Sequence, residues 1–223
     1  MDDCVAVEHV SKTYQLGKVE VRALDDISLG VAAGDFVAIA GPSGSGKTTL
    51  LNLIGGLDTP TSGEIRIDGE AVSALSAGAR ADLRARKLGF VFQTFNLLPV
   101  LTAWENVEYP LLIHRRGSGD RRARVSAALT QVGLADRAYH RPPELSGGQQ
   151  QRVAIARALV GEPKLVLADE PTANLDSATG RDIVDLMRRL NRERGVTFVF
   201  STHDARIMSA ADRVVEISDG RLR

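Results

Sequence analysis

The stretch Gly41-Pro42-Ser43-Gly44-Ser45-Gly46-Lys47-Thr48-Thr49 constrains this chain more than any other. It matches the phosphate-binding pattern G-x-x-x-x-G-K-[ST], which requires a strand before it and a helix after it. Both flanks comply. Phe36-Val37-Ala38-Ile39-Ala40 is a short apolar run that reads as a buried strand, and Leu50-Leu51-Asn52-Leu53-Ile54 reads as helix. Glycines let successive backbone N–H groups turn inward around an anion, where a side chain would block the approach. The helix N-terminus adds the positive end of its dipole. Lys47 is placed to reach β- and γ-phosphates, and the Thr48 hydroxyl to face a magnesium ion. On this loop alone a kinase and a GTPase both remain open.

The rest of the chain alternates strands with helices, which predicts an α/β fold with a mainly parallel core sheet. Residues 4–10, 21–29 and 64–67 read as strands flanking the loop, and they predict an antiparallel sheet beside the nucleotide core. Tyr14 falls in a short polar loop between them. A helix is expected over 79–86, then a compact strand over 88–92 that runs into Gln93. From residue 94 the texture changes to an apolar loop with Pro99, then helices over 103–114 and 121–132. In the second helix Val125, Ala128, Leu129 and Val132 recur at helical spacing, with Gly133 as its stop. Pro142-Pro143 breaks the chain before a helix that runs to about residue 160. The expected architecture is one domain over 1–223 with a helical insertion at 94–160.

A second nucleotide signal closes the strand expected at 164–168, where the apolar run ends in Asp169-Glu170-Pro171. An aspartate at the end of a core strand can hold magnesium, and the glutamate after it can orient or deprotonate an attacking water. Asp176 or Ser177 can cap the next helix, whose core face is Ile183, Leu186, Met187 and Leu190 and whose end is Gly195. Strands over 196–200, leading to Ser201-Thr202-His203-Asp204, and over 214–217 complete the pattern.

The totals exclude several classes. Lysine plus arginine and aspartate plus glutamate both number 28, so no global basic field draws the chain to nucleic acid. The single cysteine, Cys4, excludes an intramolecular disulfide and fits a reducing compartment. The acidic start Met1-Asp2-Asp3-Cys4 lacks the apolar core of a signal peptide, and no apolar run is long enough to span a bilayer. Membrane action would need a second chain. Arg115, Arg116, Arg121, Arg122 and Arg124 read as a solvated face.

Leu145-Ser146-Gly147-Gly148-Gln149, followed by Gln150, Gln151 and Arg152, resembles the signature motif of the ATP-binding-cassette (ABC) ATPases. The resemblance covers the chain from Tyr14 to His203. Two stretches, Gly89-Phe90-Val91-Phe92-Gln93-Thr94-Phe95-Asn96-Leu97-Leu98-Pro99 and Thr102-Ala103-Trp104-Glu105-Asn106-Val107, are similar to the lipoprotein-releasing and macrolide-exporter group. It implies a P-loop NTPase (RecA-like) core, an N-terminal antiparallel β subdomain and an inserted helical subdomain. It also implies Mg-dependent ATP hydrolysis by a head-to-tail homodimer, in which each copy lends Ser146, Gly147, Gly148 and Gln149 to the ATP on the other's phosphate loop. A hydroxyl and two glycines opening a helix suit that task, because they form an anion site of their own.

The resemblance assigns the remaining roles residue by residue. Tyr14 is similar to the aromatic that stacks on adenine, and Gln93 to the glutamine that touches magnesium and senses the γ-phosphate. Thr48 and Asp169 complete the metal set. Glu170 is the implied general base, with Lys47, Gln93 and His203 beside it, and His203 matches the switch histidine at the γ-phosphate. Asp176 matches the loop that couples the two sites. Residues 93–109, which include Phe95, Leu97, Leu98, Leu101, Trp104 and Tyr109, are the implied contact with an integral membrane permease. That places the chain at the cytoplasmic face of the cell membrane, powering export or extraction of lipoprotein, drug or peptide substrates. No regulatory domain is expected after the last strand. A soluble ABC ATPase of DNA repair, chromosome organisation or translation is the rival. It predicts a coiled-coil or zinc-binding insert or a fused second cassette, none of which is present in this sequence. A GTPase would need an Asn-Lys-x-Asp stretch, and none occurs.

Overall fold

The computed structural model describes residues 3–113 and 118–223. Met1, Asp2, His114, Arg115 and Arg116, which entered the expectations above, lie outside the described residues. The element order is β1 (Asp3–Leu16), β2 (Val19–Ala32), β3 (Phe36–Ala40), α1 (Lys47–Ile54), β4 (Ser62–Ile67), β5 (Glu70–Ala71), α2 (Ala77–Lys87) and β6 (Leu88–Val91). There follow α3 (Ala103–Ile113), α4 (Ser118–Gln131), 3-10 turns at Ala135–Arg137 and Pro142–Glu144, and α5 (Gly147–Leu159). The chain then returns to sheet and helix in β7 (Leu165–Ala168), α6 (Ser177–Arg194), β8 (Thr197–Thr202), α7 (Ala205–Met208), β9 (Arg213–Ser218) and β10 (Arg221–Leu222).

Among the described residues two sheets form. One has the order β10-β9-β3-β8-β7-β6, parallel except at β10, and the other the order β2-β1-β4-β5, all antiparallel. The parallel sheet separates two cores, and strand alternation decides which side chain joins which. Phe36, Ala38, Val166, Ala168, Phe198 and Phe200 face α3 to α6. Val37, Ile39, Leu165, Leu167 and Val199 face α1, α2 and the antiparallel sheet. Strands buried on both faces read as unbroken apolar runs, which is why β3 and β7 show no alternation in the sequence. Three phenylalanines anchor the helical side, Phe36 lying 5.6 Å from Phe198 and 4.9 Å from Phe200 between ring centroids. Truncating one of them to alanine would cost about 3–5 kcal/mol.

The helical periodicity expected of α4 and α6 is present in the packing. Val125, Ala128, Leu129 and Val132 are buried, as are Ile183, Leu186, Met187 and Leu190. Gly133 and Gly195 take the left-handed backbone that ends each helix. Tyr14 needs a correction. It lies inside β1, paired with Val21 of β2, and not in a loop. The hairpin continues through its polar half because both strands reach the Gly17 turn, and register shifts near His9 and Lys12 absorb the irregularity. The short elements β5, α7 and β10 had no signal, since two to four residues carry no periodicity.

Candidate functional site

Four parallel strands end beside one another, and each delivers a site residue from its C-terminal edge, where α/β sheets place their ligands. The phosphate loop follows β3, and Gln93 follows β6. Asp169 and Glu170 follow β7, and His203 follows β8. Together they border a cleft of about 820 Å³ lined by Pro42, Gly44, Lys47, Thr48, Gln93, Glu170 and His203. Val21 to Ala23 of β2 and the Asp219-Gly220 turn close its outer wall. A second cavity, about 810 Å³, opens at the other end of the parallel strands beside Cys4, Lys164 and Thr197, and it holds none of the expected site residues.

Two of the loop's glycines, Gly41 and Gly46, are required by space, and Gly44 by its left-handed backbone at φ 78°. Gly46 sits at φ 109°, and a Cβ there would lie 2.7 Å from the Ala23 carbonyl oxygen; one at Gly41 would lie 2.1 Å from that of Ile217. Lys47 opens α1 and is buried. Its ammonium donates to the carbonyls of Gly41 (2.8 Å) and Pro42 (2.9 Å) and lies 3.8 Å from Glu170 Oε1. The cation is thereby aimed back across its own loop.

The acidic pair is divided between two tasks by its hydrogen bonds. Asp169 accepts from the Thr48 hydroxyl at 3.0 and 3.1 Å and from the Ser201 hydroxyl at 2.7 Å. Glu170 contacts His203 Nδ1 at 2.9 Å, and its own N–H donates to Ser201 Oγ at 2.8 Å. One hydroxyl on β8 therefore fixes both carboxylates. Glu170 is also held at φ 47°, a left-handed backbone that costs a non-glycine residue about 1–3 kcal/mol and clusters at functional sites. A hydroxyl and a carboxylate about 3 Å apart, open to a phosphate site, form the sparse oxygen set that magnesium takes from protein while keeping water and phosphate as its other ligands. Thr48 and Asp169 fit that ion, and Gln93 is exposed on the same cleft.

Other expected residues stand elsewhere. Tyr14 is half-buried, directly across the ladder from the cleft residue Val21, and its hydroxyl donates to Asp58 Oδ2 at 2.8 Å. Burial works against the Asp58 charge, but Lys12, the Thr59 N–H and Tyr14 outweigh it and hold its carboxyl below the usual range. Ser146, Gly147, Gly148, Gln149 and Asp176 do not line the cleft. Ser146 caps α5 by accepting from Gln149 N–H, while Gln149 Oε1 accepts from Ser146 N–H. A Cβ on Gly148 would lie 2.5 Å from the Thr179 methyl, so that glycine admits α6 to close range. Asp176 caps α6, and the Thr179 hydroxyl above all holds its carboxyl below the usual range. Asp204, one residue past His203, is held at about 2 by the Arg206 guanidinium.

Sequence reasoning missed Ser201, the residue that joins Asp169 to Glu170; a hydroxyl two residues before His203 was its signal. It also missed Gln151, whose buried amide donates to the Pro171 carbonyl at 2.6 Å and ties α5 to the segment after Glu170.

Comparison with known proteins identifies the family. The family described as ABC transporter matches residues 24–173. The chain is 52% identical over 220 residues to the macrolide export ATP-binding/permease protein MacB of Syntrophobacter fumaroxidans, covering 98% of this chain and 31% of that protein. It is 51% identical to the uncharacterized ABC transporter ATP-binding protein YvrO of Bacillus subtilis, covering 98% and 95% of the two. The dimeric post-hydrolysis structure of the ATP-binding cassette MJ0796, bound to ADP and Pi, superposes with a TM-score of 0.90 at 47% identity, covering 98% of this chain and 96% of that one. The structure of cbiO1 from Clostridium perfringens, part of the transporter complex cbiONQ, also gives 0.90, at 31% identity over 100% of this chain and 88% of that one.

Proposed function

The chain belongs to the ABC transporter family of ATP-binding cassettes, and from that premise we propose that its cleft and its signature helix are halves of one ATPase site, completed between two copies. Membership makes it an ATP-binding and ATP-hydrolysing cassette. The residue roles follow the family resemblance, and the geometry of Lys47, Thr48, Asp169, Glu170 and His203 supports them. Lys47 and the loop N–H groups bind the phosphates, while Thr48, Asp169 and Gln93 would hold magnesium. That ion would supply charge neutralisation at the β- and γ-phosphates. Glu170 orients the attacking water and accepts its proton, with His203 fixing the carboxylate through Nδ1. Ser201 keeps Asp169 and Glu170 from exchanging tasks. Tyr14 takes the adenine ring beside Val21.

The observation that carries this reading is the Glu170 carboxylate, set 2.9 Å from His203 and 3.8 Å from Lys47 at the edge of the phosphate loop. The experiment is Glu170→Gln. We expect it to retain ATP, to lose turnover by about 100-fold or more, and to accumulate as a dimer in gel filtration with MgATP. A monomer that hydrolyses at the wild-type rate would remove Glu170 from its role.

The second copy is favoured because Ser146 to Gln149 form an anion-binding helix start away from the chain's own cleft, and because the MJ0796 cassette is dimeric. No helix among the described residues is long and apolar enough to cross a membrane. The chain spans about a third of the length of its macrolide-export relative, which is an ATP-binding/permease protein. A membrane permease is the partner in this reading, docking on residues 93–109, with the cassette at the cytoplasmic face. In that segment Leu98 and Tyr109 are exposed, while Phe95, Leu97, Leu101 and Trp104 are half-buried. The exposed Val100, Leu112 and Ile113 extend the apolar surface. The likeness to a macrolide export protein favours export, and the sequence resemblance widens the substrate class to a lipoprotein, drug or peptide. Zero net charge argues against nucleic acid.

A further inference from the structure

Gln93 stands on a loop, and a loop side chain reports a phosphate faithfully only if its backbone is held. Two side chains hold this one. Asn174 Nδ2 donates to the Gln93 carbonyl at 2.9 Å. Arg157, on the fourth turn of α5, donates through Nη2 to the Phe95 carbonyl at 2.8 Å and through Nη1 to the Asn96 carbonyl at 2.5 Å. Phe95 and Asn96 are consecutive left-handed residues, at φ 60° and 48°. Such a pair persists only where its surroundings over-determine it. The planar guanidinium fork does so, because it satisfies two neighbouring carbonyls at once. Burial draws the Arg157 pKa below the usual guanidinium value, yet its hydrogen-bond partners are carbonyls and not a carboxylate. The charge is spent on geometry.

The same segment touches the signature. A Cβ on Gly147 would lie 3.8 Å from Phe95 Cζ and 3.3 Å from Leu175 Cδ2, so the Phe95 ring and the loop before Asp176 both rest against the start of α5. α5 therefore meets this segment twice, with the Phe95 ring near Gly147 at its start and Arg157 bonded to the carbonyls near its end.

We propose that Arg157 is a positioning residue that latches the segment after Gln93 onto the signature helix. The glutamine facing this chain's own nucleotide and the Ser146-Gly147-Gly148 start facing the second copy's nucleotide then shift as one unit. The latch rests on the nucleotide role given to Gln93. Arginine suits this task better than lysine, because its planar fork aims two donors in fixed directions while the three donors of an ammonium rotate freely.

The test is a double-variant cycle on the full chain, with ATP affinity by nucleotide titration, turnover by phosphate release and thermal unfolding for each variant. Arg157→Ala should keep the ATP Kd within about twofold and lower kcat about tenfold, the loss expected of a misplaced group. Arg157→Lys should recover part of it. The double variant with Gln93→Ala should be no slower than the slower single variant, since both act through one unit. Multiplying losses, or wild-type turnover in Arg157→Ala while Gln93→Ala is slow, would overturn the latch alone. Wild-type turnover in Gln93→Ala would overturn the role of Gln93, and the latch with it. If Arg157→Ala does not fold, the same cycle run with Arg157→Lys decides.

Discussion

Two helices in this chain open at a glycine-rich start, and they satisfy their first turns in opposite ways. At α1 the residue before the helix is Gly46, at φ 109°, and no side chain caps the helix. Its first N–H groups have no intrahelical partners, and the nearby ammonium of Lys47 is folded back on two loop carbonyls. At α5 the residue before the helix is Ser146, and a reciprocal box with Gln149 already satisfies two donors. The first site is unfinished without an anion. The second is stable alone, and its glycines are there as much for Leu175 and Thr179 to approach as for any ligand. In the proposed reading, the first helix start is completed by ATP and the second is offered, preformed, to the nucleotide of a second copy.

Substitutions at the two helix starts should therefore fail differently. The largest effect is expected for Ser146→Arg. It should leave ATP affinity of the monomer intact, abolish MgATP-dependent dimerisation and cut turnover on the order of 100-fold, as loss of a transition-state donor does. Wild-type turnover in that variant would make both sites self-sufficient and erase the contrast. Lys47→Ala comes next. Loss of a charged hydrogen bond to phosphate should weaken ATP binding about 10- to 100-fold by nucleotide titration, without a dimer defect at saturating ATP. The smallest effect is Ser146→Ala. Losing the cap should cost about 1 kcal/mol of stability in the absence of nucleotide, a fall of about 2–4 °C in Tm. An unchanged Tm would mean that α5 does not depend on its own cap, and the two helix starts would then be alike.

Much of this was legible in residue order. The phosphate loop, the acidic pair after β7 and the capped start of α5 are local patterns, and each lies where its pattern placed it. The faces of α4 and α6 followed from spacing alone. Tyr14 did not, because its loop-like polarity conceals a strand whose partner, β2, supplies the hydrogen bonds. The partners of Ser201, Asn174 and Arg157 were illegible for a related reason. Each of these three residues acts on a backbone or carboxyl group 31 to 81 positions away, and nothing near it in the sequence records the partner.

The sequence by itself determined the family, the two glycine-rich helix starts and the residue types that a phosphate site needs, because glycine, lysine, hydroxyl and carboxylate act through local backbone geometry and charge. Tertiary structure alone decided which of them meet. Parallel pairing of β3, β8, β7 and β6 sets Lys47, His203, Glu170 and Gln93 on one edge, and it leaves Ser146 outside the cleft. Strand order is fixed by long-range burial on the two faces of the sheet, and short-range residue order does not contain that information.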